Sequence, residues 1–298
     1  MSTIAPFTNP TAVARKKTIQ NLRQKKDRGE PISMLTGYDY PTALALDRAG
    51  IDVILVGDSL GMVVLGYENT LSVTMDEMLH HCRAVARGAR SALLIGDMPF
   101  MSYQVSVEEA VRNAGRFLKE GGMDAVKLEG GSERANSVRA IIQAGIPVMG
   151  HLGLTPQSVQ ILGGYHPQGR TTETARLILE DALALEEAGC FSLVLESIPT
   201  RLAELISKRV SIPTIGIGAG GGCDGQVLVV HDMLGFFDRF APKFVKKYTD
   251  LQGEMGRVFG EFISDVTERR FPTQEHSVEM PDKEWESLLR ELAEDNNK

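Results

Sequence analysis

The sequence predicts an α/β protein with a single (β/α)8 TIM barrel, in which eight parallel strands close into a ring surrounded by helices. Eight short runs rich in leucine or β-branched residues alternate with longer segments that have helical spacing. The runs do not alternate between apolar and polar residues, which is typical of parallel strands buried on both faces. Eight such units within about 250 residues fit a barrel, and a doubly wound open sheet is the competing architecture.

The expected strands and helices follow one another in strict order. The strand sequences are ISMLTGYD, DVILVGDS, ALLIGDMP, DAVKLEGG, IPVMGHLGL, FSLVLESIP, IPTIGIGAG and QVLVVHDMLG. The helix candidates between them are YPTALALDRAG, TMDEMLHHCRAVARGA, SVEEAVRNAGRFLKEGG, RANSVRAIIQAG, TARLILEDALALEEAG and RLAELISKRV, and several close with a glycine suited to a C-cap. Only GGGCDG separates the last two strands, so a seventh helix would have to be very short.

Two amphipathic helices are expected outside the barrel. KKTIQNLRQKKDRGE predicts a basic helix that ends near Gly29, with its basic face in solvent, against a partner or on the underside of the barrel. MPDKEWESLLRELAEDNNK predicts a capped C-terminal helix. We therefore expect a tail and helix over residues 1–30, a catalytic barrel over 31–270 and a helical extension over 271–298.

Composition excludes several functional classes. The formal net charge of −7 argues against binding to nucleic acid or to an anionic membrane, because such binding needs a basic patch. No apolar run approaches the ~20 residues of a membrane span, and the first residues lack the apolar core of a secretory signal. Three cysteines without a C-x-x-C pair fit a reducing compartment, so we expect a cytoplasmic protein.

Polar residues end most of the expected strands. In chain order these ends are Tyr38-Asp39, Asp58-Ser59, Asp97, Lys127 with Glu129, His151, Glu196, Gly218-Ala219-Gly220 and His231-Asp232. In a parallel barrel all of them emerge on one face, where active sites form. Carboxylates packed so closely repel one another unless a cation or shared protons offset their charge. The pattern therefore predicts a divalent metal, although each aspartate alone would be read as a helix cap or turn residue.

The type of ligand indicates which metal. Asp58, Asp97 and Glu129 are hard oxygen donors from adjacent strands, and oxygen ligation by a few carboxylates suits Mg²⁺. Zinc would be expected to recruit His151 or a cysteine.

The remaining strand-end residues have roles in proton transfer or substrate binding. Lys127 and Glu129 share one face of their strand, so they form either an ion pair that fills the barrel mouth or, as we favour, a cation for an anionic substrate beside a metal-site acid. Glu196 follows an apolar run, and burial there would make it a better general base. His151 binds substrate, orients a neighbour or is structural. ILGGYHPQGR, with Gly163-Gly164 as a hinge, is a candidate lid.

Eight motifs together resemble the ketopantoate hydroxymethyltransferase family. They are VGDSLGMV, GDMPFMSY, VKLEGG, GHLGLTPQSV, GGYHPQGR, LVLESIP, IGIGAG and DGQVLVVHDMLG, in order between about Lys17 and Gly260. Only GAGGGCDGQ departs from the family's usual loop. The resemblance implies a barrel that assembles into a homodecamer of stacked pentamers. It further implies Mg²⁺-assisted hydroxymethylation of 3-methyl-2-oxobutanoate by 5,10-methylenetetrahydrofolate, giving ketopantoate for pantothenate biosynthesis.

The resemblance also implies a role for each matching residue. By position, the metal ligands are Asp58, Asp97 and, partly through water, Glu129; the substrate contacts are Asp58, Ser59, Asp97 and Lys127, with His151 near the ligand; and the proton acceptor is Glu196. A 2-oxo acid chelates Mg²⁺ through its ketone and one carboxylate oxygen, which makes its C3 proton acidic enough for a carboxylate base.

Two other functions compete with this one. Another Mg²⁺-dependent barrel acting on 2-oxo acids, a lyase of the isocitrate lyase or phosphoenolpyruvate mutase type, would turn over without a folate. A catalytically silent metabolite-binding barrel would bind the acid without exchanging its C3 proton.

Overall fold

A closed barrel of eight parallel strands organises the chain. The computed structural model describes residues 15–237 and 242–295. The strands are β1 (Ile32–Thr36), β2 (Val53–Val56), β3 (Leu93–Asp97), β4 (Ala125–Glu129), β5 (Val148–Gly153), β6 (Ser192–Glu196), β7 (Thr214–Ile217) and β8 (Gly225–Leu228). Each strand pairs in parallel with the next, and β8 pairs with β1. The predicted barrel is confirmed, and the open sheet is excluded because the ring closes.

Twelve α-helices accompany these strands in the described residues. They are α1 (Ile19–Asp27), α2 (Tyr40–Arg48), α3 (Leu60–Val63), α4 (Met75–Gly88), α5 (Val107–Lys119), α6 (Ala135–Gln143), α7 (Val159–Leu162), α8 (Thr172–Glu187), α9 (Thr200–Arg209), α10 (Val230–Met233), α11 (Leu251–Thr267) and α12 (Asp282–Asp295). Three 3₁₀ turns are Ser132–Arg134, Pro156–Ser158 and Gln274–His276. None of these helices spans a membrane, since none in the described part of the chain is both long and apolar enough.

The helices named from the sequence are all present. Besides the short helices α3, α7 and α10, which were not named, there are two differences. No helix separates β7 from β8, where a very short one was expected. Gly218 and Gly220 there have φ angles of +62° and +78°, so the chain turns back within a few residues. Conversely, α11 is present although no helix was expected there, because its three glycines weaken the helical signal in the sequence.

The chain divides into two units, Met1–Thr249 and Asp250–Lys298. The first contains the barrel, and the second contains α11 and α12. The expected extension from residue 271 thus falls inside the second unit. Several large apolar side chains of that unit are exposed, among them Phe262 and Trp285.

The barrel interior has an apolar layer beneath a polar layer. In β3, Leu93 and Ile95 belong to the inner apolar cluster, and Asp97 follows two residues later. In β4, Ala125 belongs to that cluster and Lys127 follows it. Because strand side chains on one face recur every second residue, the charged residues continue the inward-facing rows toward the carboxyl ends of the strands.

Helix α1 closes the amino-terminal end of the barrel. Leu22 is fully buried and belongs to the inner apolar cluster. Three and four residues after it, Lys25 pairs with Asp52 at 2.6 Å and Lys26 with Asp224 at 2.8 Å. Both aspartates lie just before a strand. Of the three places considered for the basic face, the structure therefore shows the underside of the barrel.

We predict that Asp52→Asn destabilises the protein by about 2 kcal/mol at neutral pH, the range for hydrogen bonds to charged groups. Although burial opposes it, the Lys25 ammonium and Ser33 hold the pKa of Asp52 below its usual value. A depressed pKa stabilises the fold above the unfolded value of about 3.9 and ceases to do so as pH falls below it. The difference between the two proteins in urea unfolding should therefore shrink below about pH 4. Asp27→Asn, on the exposed face of α1, is the control, and an equally large change there would contradict the prediction.

Candidate active site

Strand register brings the charged residues together at the carboxyl ends of the strands. Asp97 lies opposite Lys127 across β3 and β4, and Glu129 lies opposite His151 across β4 and β5. These four residues are 2–4% exposed. Asp58, just beyond β2, is 4% exposed. The barrel mouth therefore contains a buried cluster of charges rather than a solvated rim.

A cavity of about 440 Å³ opens onto this cluster. Its lining includes every site residue expected from the sequence, namely Asp58, Ser59, Asp97, Lys127, Glu129, His151 and Glu196. Tyr165 and Pro167, from the loop considered as a lid, line the same cavity. The structure thus gathers residues from strand ends that are up to 138 positions apart in sequence around one space.

Lys127 is the central cation of the cluster. Its Nζ lies 2.7 Å from Asp97 Oδ1. Burial alone would lower the pKa of Lys127, but the nearby carboxylates of Asp97, Glu129 and Asp58 outweigh burial and raise it. Lys127 therefore stays protonated, and it is available to hold a negatively charged group in the cavity.

Asp58 and Asp97 lie next to each other. The backbone N–H of Asp58 donates to Asp97 Oδ2 at 3.2 Å. Burial, followed by the charges of Asp97 and Glu129, raises the pKa of Asp58 well above its usual value. Burial also raises the pKa of Asp97, with Lys127 opposing the effect. The two carboxylates would accordingly gain from an additional cation between them.

These two aspartates have the donor chemistry of a magnesium site. Among the residues that the structure describes, no three His, Cys, Asp or Glu side chains group so that they could hold a metal ion on their own. Mg²⁺, however, is commonly bound by only one or two carboxylates together with substrate and water. Asp97 Oδ1, which is buried and whose partner is the Lys127 ammonium at 2.7 Å, is a candidate ligand atom beside Asp58.

His151 bridges two acids. Its Nδ1 lies 3.4 Å from Glu129 Oε1, and its Nε2 lies 3.1 Å from Glu196 Oε2. Burial and the neighbouring Lys127 lower the pKa of His151, but the two glutamates outweigh them and raise it to about 9. Lys127 Nζ lies 3.2 Å from His151 Nδ1, so the ring contacts the cation of the cluster as well as both acids.

Glu196 is the most accessible acid of the site, with 17% of its side chain exposed. It is the last residue of β6, and its backbone carbonyl accepts a hydrogen bond from Leu154. The next residue, Ser197, accepts one from the backbone of Gln168, in the loop considered as a lid. Glu196 thus has one carboxylate oxygen near His151 on a wall that faces the cavity.

Sequence reasoning missed Gln157, which connects the acids. Its side-chain amide donates to Asp58 Oδ2 and to the Met98 carbonyl, both at 2.9 Å, and accepts from the Tyr103 hydroxyl at 2.6 Å. Its backbone N–H donates to Glu129 Oε2 at 3.0 Å. Gln157 is 5% exposed. A single glutamine in a Thr-Pro turn carries no periodic signal, so only the fold reveals this role.

Tyr38 has a related supporting role. Its hydroxyl lies 2.9 Å from the Ser59 hydroxyl, and the ring is 1% exposed. The contact fixes the position of the Ser59 oxygen at the edge of the cavity.

Comparisons with known proteins point to the same family over most of the chain. A family model described as ketopantoate hydroxymethyltransferase matches residues 16–274. A relative from Syntrophus aciditrophicus, named 3-methyl-2-oxobutanoate hydroxymethyltransferase, is 60% identical over 263 residues, which cover 88% of this chain and 97% of the relative. A relative of the same name from Clostridium novyi is 56% identical over 277 residues, covering 93% and 99%.

Some solved structures with low sequence identity to this chain have a similar fold. Phosphonopyruvate hydrolase matches with a TM-score of 0.59 at 14% identity, covering 93% of this chain and 97% of its own. Phosphoenolpyruvate phosphomutase from Streptomyces platensis subsp. rosaceus matches with a TM-score of 0.58 at 14% identity and the same coverage. At these identities the likeness concerns the fold alone.

We predict that Gln157→Met destabilises the protein by about 2 kcal/mol, since buried partners of the amide are left without hydrogen bonds. Because Asp58 then loses its support, Mg²⁺ affinity should fall roughly tenfold, as for other residues that orient metal ligands. Urea unfolding and magnesium titration measure the two effects. Gln160→Met, exposed on α7, is the matched control. Unchanged magnesium affinity in Gln157→Met would rule out the positioning role.

Proposed function

The chain belongs to the ketopantoate hydroxymethyltransferase family, and we propose that it hydroxymethylates 3-methyl-2-oxobutanoate to give 2-dehydropantoate, also called ketopantoate. 5,10-Methylenetetrahydrofolate supplies the carbon. The C3–H bond of the acid breaks, a C3–CH₂OH bond forms with oxygen from water, and tetrahydrofolate leaves. The observation that supports this best is the cavity where a buried lysine and two aspartates face a more accessible glutamate.

Lys127 and Ser59 anchor the carboxylate of the 2-oxo acid in this proposal. The Lys127 ammonium is buried and protonated, so its attraction for an anion is only weakly screened by water. The Ser59 hydroxyl is fixed by Tyr38 and can donate to the same carboxylate. Held at these two points, the acid would have its ketone oxygen directed toward the aspartates.

Asp58 and Asp97 would hold Mg²⁺ through carboxylate oxygens, with Glu129 acting through a water molecule. When bound, the ion supplies a Lewis acid that polarises the ketone and so acidifies the C3 proton. Gln157 keeps Asp58 and Glu129 in place through its amide and backbone hydrogen bonds. The interaction of Lys127 with Asp97 limits the repulsion between the acids before the ion arrives.

Glu196 is the proposed general base that takes the C3 proton. Its carboxylate lines the same cavity as Lys127, two strands further around the ring. His151 Nε2 lies 3.1 Å from Glu196 Oε2 and would hold this carboxylate in position. The apolar surroundings exclude water from the carbanionic carbon, so that the one-carbon unit rather than a solvent proton reaches it.

The competing lyase function has weaker support. The solved structures of that superfamily are only 12–15% identical to this chain. The curated relatives at 54–60% identity are all named as hydroxymethyltransferases. The transferase function is therefore preferred.

The family resemblance also supports proposals on assembly, compartment and pathway. We place the enzyme in the cytoplasm and in pantothenate biosynthesis, as a homo-oligomer and specifically a decamer. The exposed apolar side chains of α11 and α12, such as Phe262 and Trp285, are surface that further subunits would cover.

The proposed function is tested by incubating the protein with 3-methyl-2-oxobutanoate, 5,10-methylenetetrahydrofolate and Mg²⁺. We expect ketopantoate and tetrahydrofolate in equal amounts, measured by mass spectrometry and absorbance. Omitting the folate or adding EDTA should abolish the product. Consumption of the acid without any folate would instead favour the lyase.

A further inference from the structure

A five-carbon acid bound at Lys127 and the aspartates would occupy only one part of the cavity. A second part is left for another ligand. The cavity volume of about 440 Å³ falls within the range of about 300–1,000 Å³ for pockets that hold drug-sized ligands. Away from the charged cluster, the wall is built by β7, β8 and the segments that follow β8. We call it the apolar half, and its lining residues are Ile217, Leu228, Val229, Phe237, Pro242 and Phe244.

Phe244 gives this half an accessible aromatic surface. The ring packs on Gly218, where any added Cβ would meet it at 2.6 Å. It nevertheless remains 37% exposed. A ring that is fixed on one side and open on the other offers a face on which a flat heterocycle can stack.

Asp232 is the charged residue that α10 contributes to this half. It lines the cavity, yet it is only 9% exposed. Its carboxylate accepts no hydrogen bond from the residues that the structure describes, and burial raises its pKa to about 6, with Lys247 opposing the shift. A carboxylate on the wall of the cavity can accept hydrogen bonds from donors of a ligand.

Asp232 also lies close to the charged cluster. Burial is the main cause that raises the pKa of Tyr38, whose hydroxyl contacts Ser59, and the charge of Asp232 adds to it. A ligand that binds Asp232 would therefore lie beside the acid held by Ser59. This is the relative placement that transfer of one carbon between two substrates requires.

A lysine-rich segment adjoins the apolar half. Residues 242–248 read PKFVKKY, with three lysines and no acid. Lys243 lines the cavity. In the described structure, Lys243, Lys246 and Lys247 form no ion pair, although Lys246 Nζ lies 4.6 Å above the Tyr248 ring. In a chain of net charge −7, such a segment favours an anionic group at the entrance.

We propose that the apolar half binds the pterin ring of the folate, with Asp232 accepting hydrogen bonds from its N3–H and 2-amino group. These two donors are adjacent and parallel, so they match the two oxygens of one carboxylate. Phe244 covers one face of the ring, and the glutamate tail extends toward Lys243 and Lys247. This assignment rests on the proposed function, because it takes a reduced folate as the second substrate.

The test compares Asp232→Asn with the wild-type full-length protein. An asparagine offers one acceptor and one donor, so the KM for 5,10-methylenetetrahydrofolate should rise at least about tenfold, the effect of one lost charge-assisted hydrogen bond. The KM for 3-methyl-2-oxobutanoate should change less than about twofold. Asp76→Asn, exposed on α4, is the control and should change neither constant. An unchanged folate KM, or an equal rise in both constants, would overturn the proposal.

A second measurement concerns the entrance. The double variant Lys243→Ser, Lys247→Ser should lose most of any preference for triglutamyl over monoglutamyl folate, while Lys119→Ser, Lys208→Ser keeps it. If both double variants showed the same preference for triglutamyl folate, Lys243 and Lys247 would not bind the glutamate tail.

Direct binding separates this inference from the proposed function. Tetrahydrofolate titrated into the wild type and into Asp232→Asn, without the acid, should bind at least about tenfold more weakly to the variant. Wild-type turnover that needs no folate would overturn the proposed function, and equal binding of tetrahydrofolate by both proteins would overturn the inference.

Discussion

The contact between Lys127 and Asp97, at 2.7 Å inside the barrel mouth, is the interaction on which the site depends. Three buried carboxylates, Asp58, Asp97 and Glu129, would otherwise repel one another in a medium of low polarity. Strand register fixes Lys127 directly opposite Asp97, so the compensation is built into the barrel rather than into a mobile loop. Lys127, with His151 beside it, does not neutralise the four acids once Glu196 is counted, and the remaining imbalance is what a divalent cation would relieve.

The rest of the barrel keeps this cluster in place. The apolar layer below it excludes water from the interior, and α1 closes the far end with Leu22 and its lysines. Gln157 then joins Asp58 and Glu129, so that the acids cannot move apart independently. Stability and function are consequently assigned to opposite ends of the barrel, which allows the carboxyl ends to carry charges that are unfavourable by themselves.

Much of this arrangement follows from the sequence, because unbroken apolar runs and the polar residues that end them are local properties of the chain. The eight strands and their polar ends, from Asp58 to Glu196, could be named before the fold was known. Gln157 could not, because its importance arises from distant partners that only the closed ring brings near. The basic face of α1 was ambiguous for the same reason, since its acidic partners precede strands far along the chain. Helix α11 was missed because intrinsic propensity, weakened by glycine, was the only local signal.

In the proposed mechanism, Glu196 removes the C3 proton of an acid held beside the aspartates. Deuterium exchange at C3 of 3-methyl-2-oxobutanoate, followed by NMR without any folate, tests this most directly. We predict Mg²⁺-dependent exchange in the wild type and a rate at least about a hundredfold lower in Glu196→Gln, the usual effect of removing a general base. Binding of the acid should persist in the variant. Exchange by Glu196→Gln at the wild-type rate would show that Glu196 is not the base.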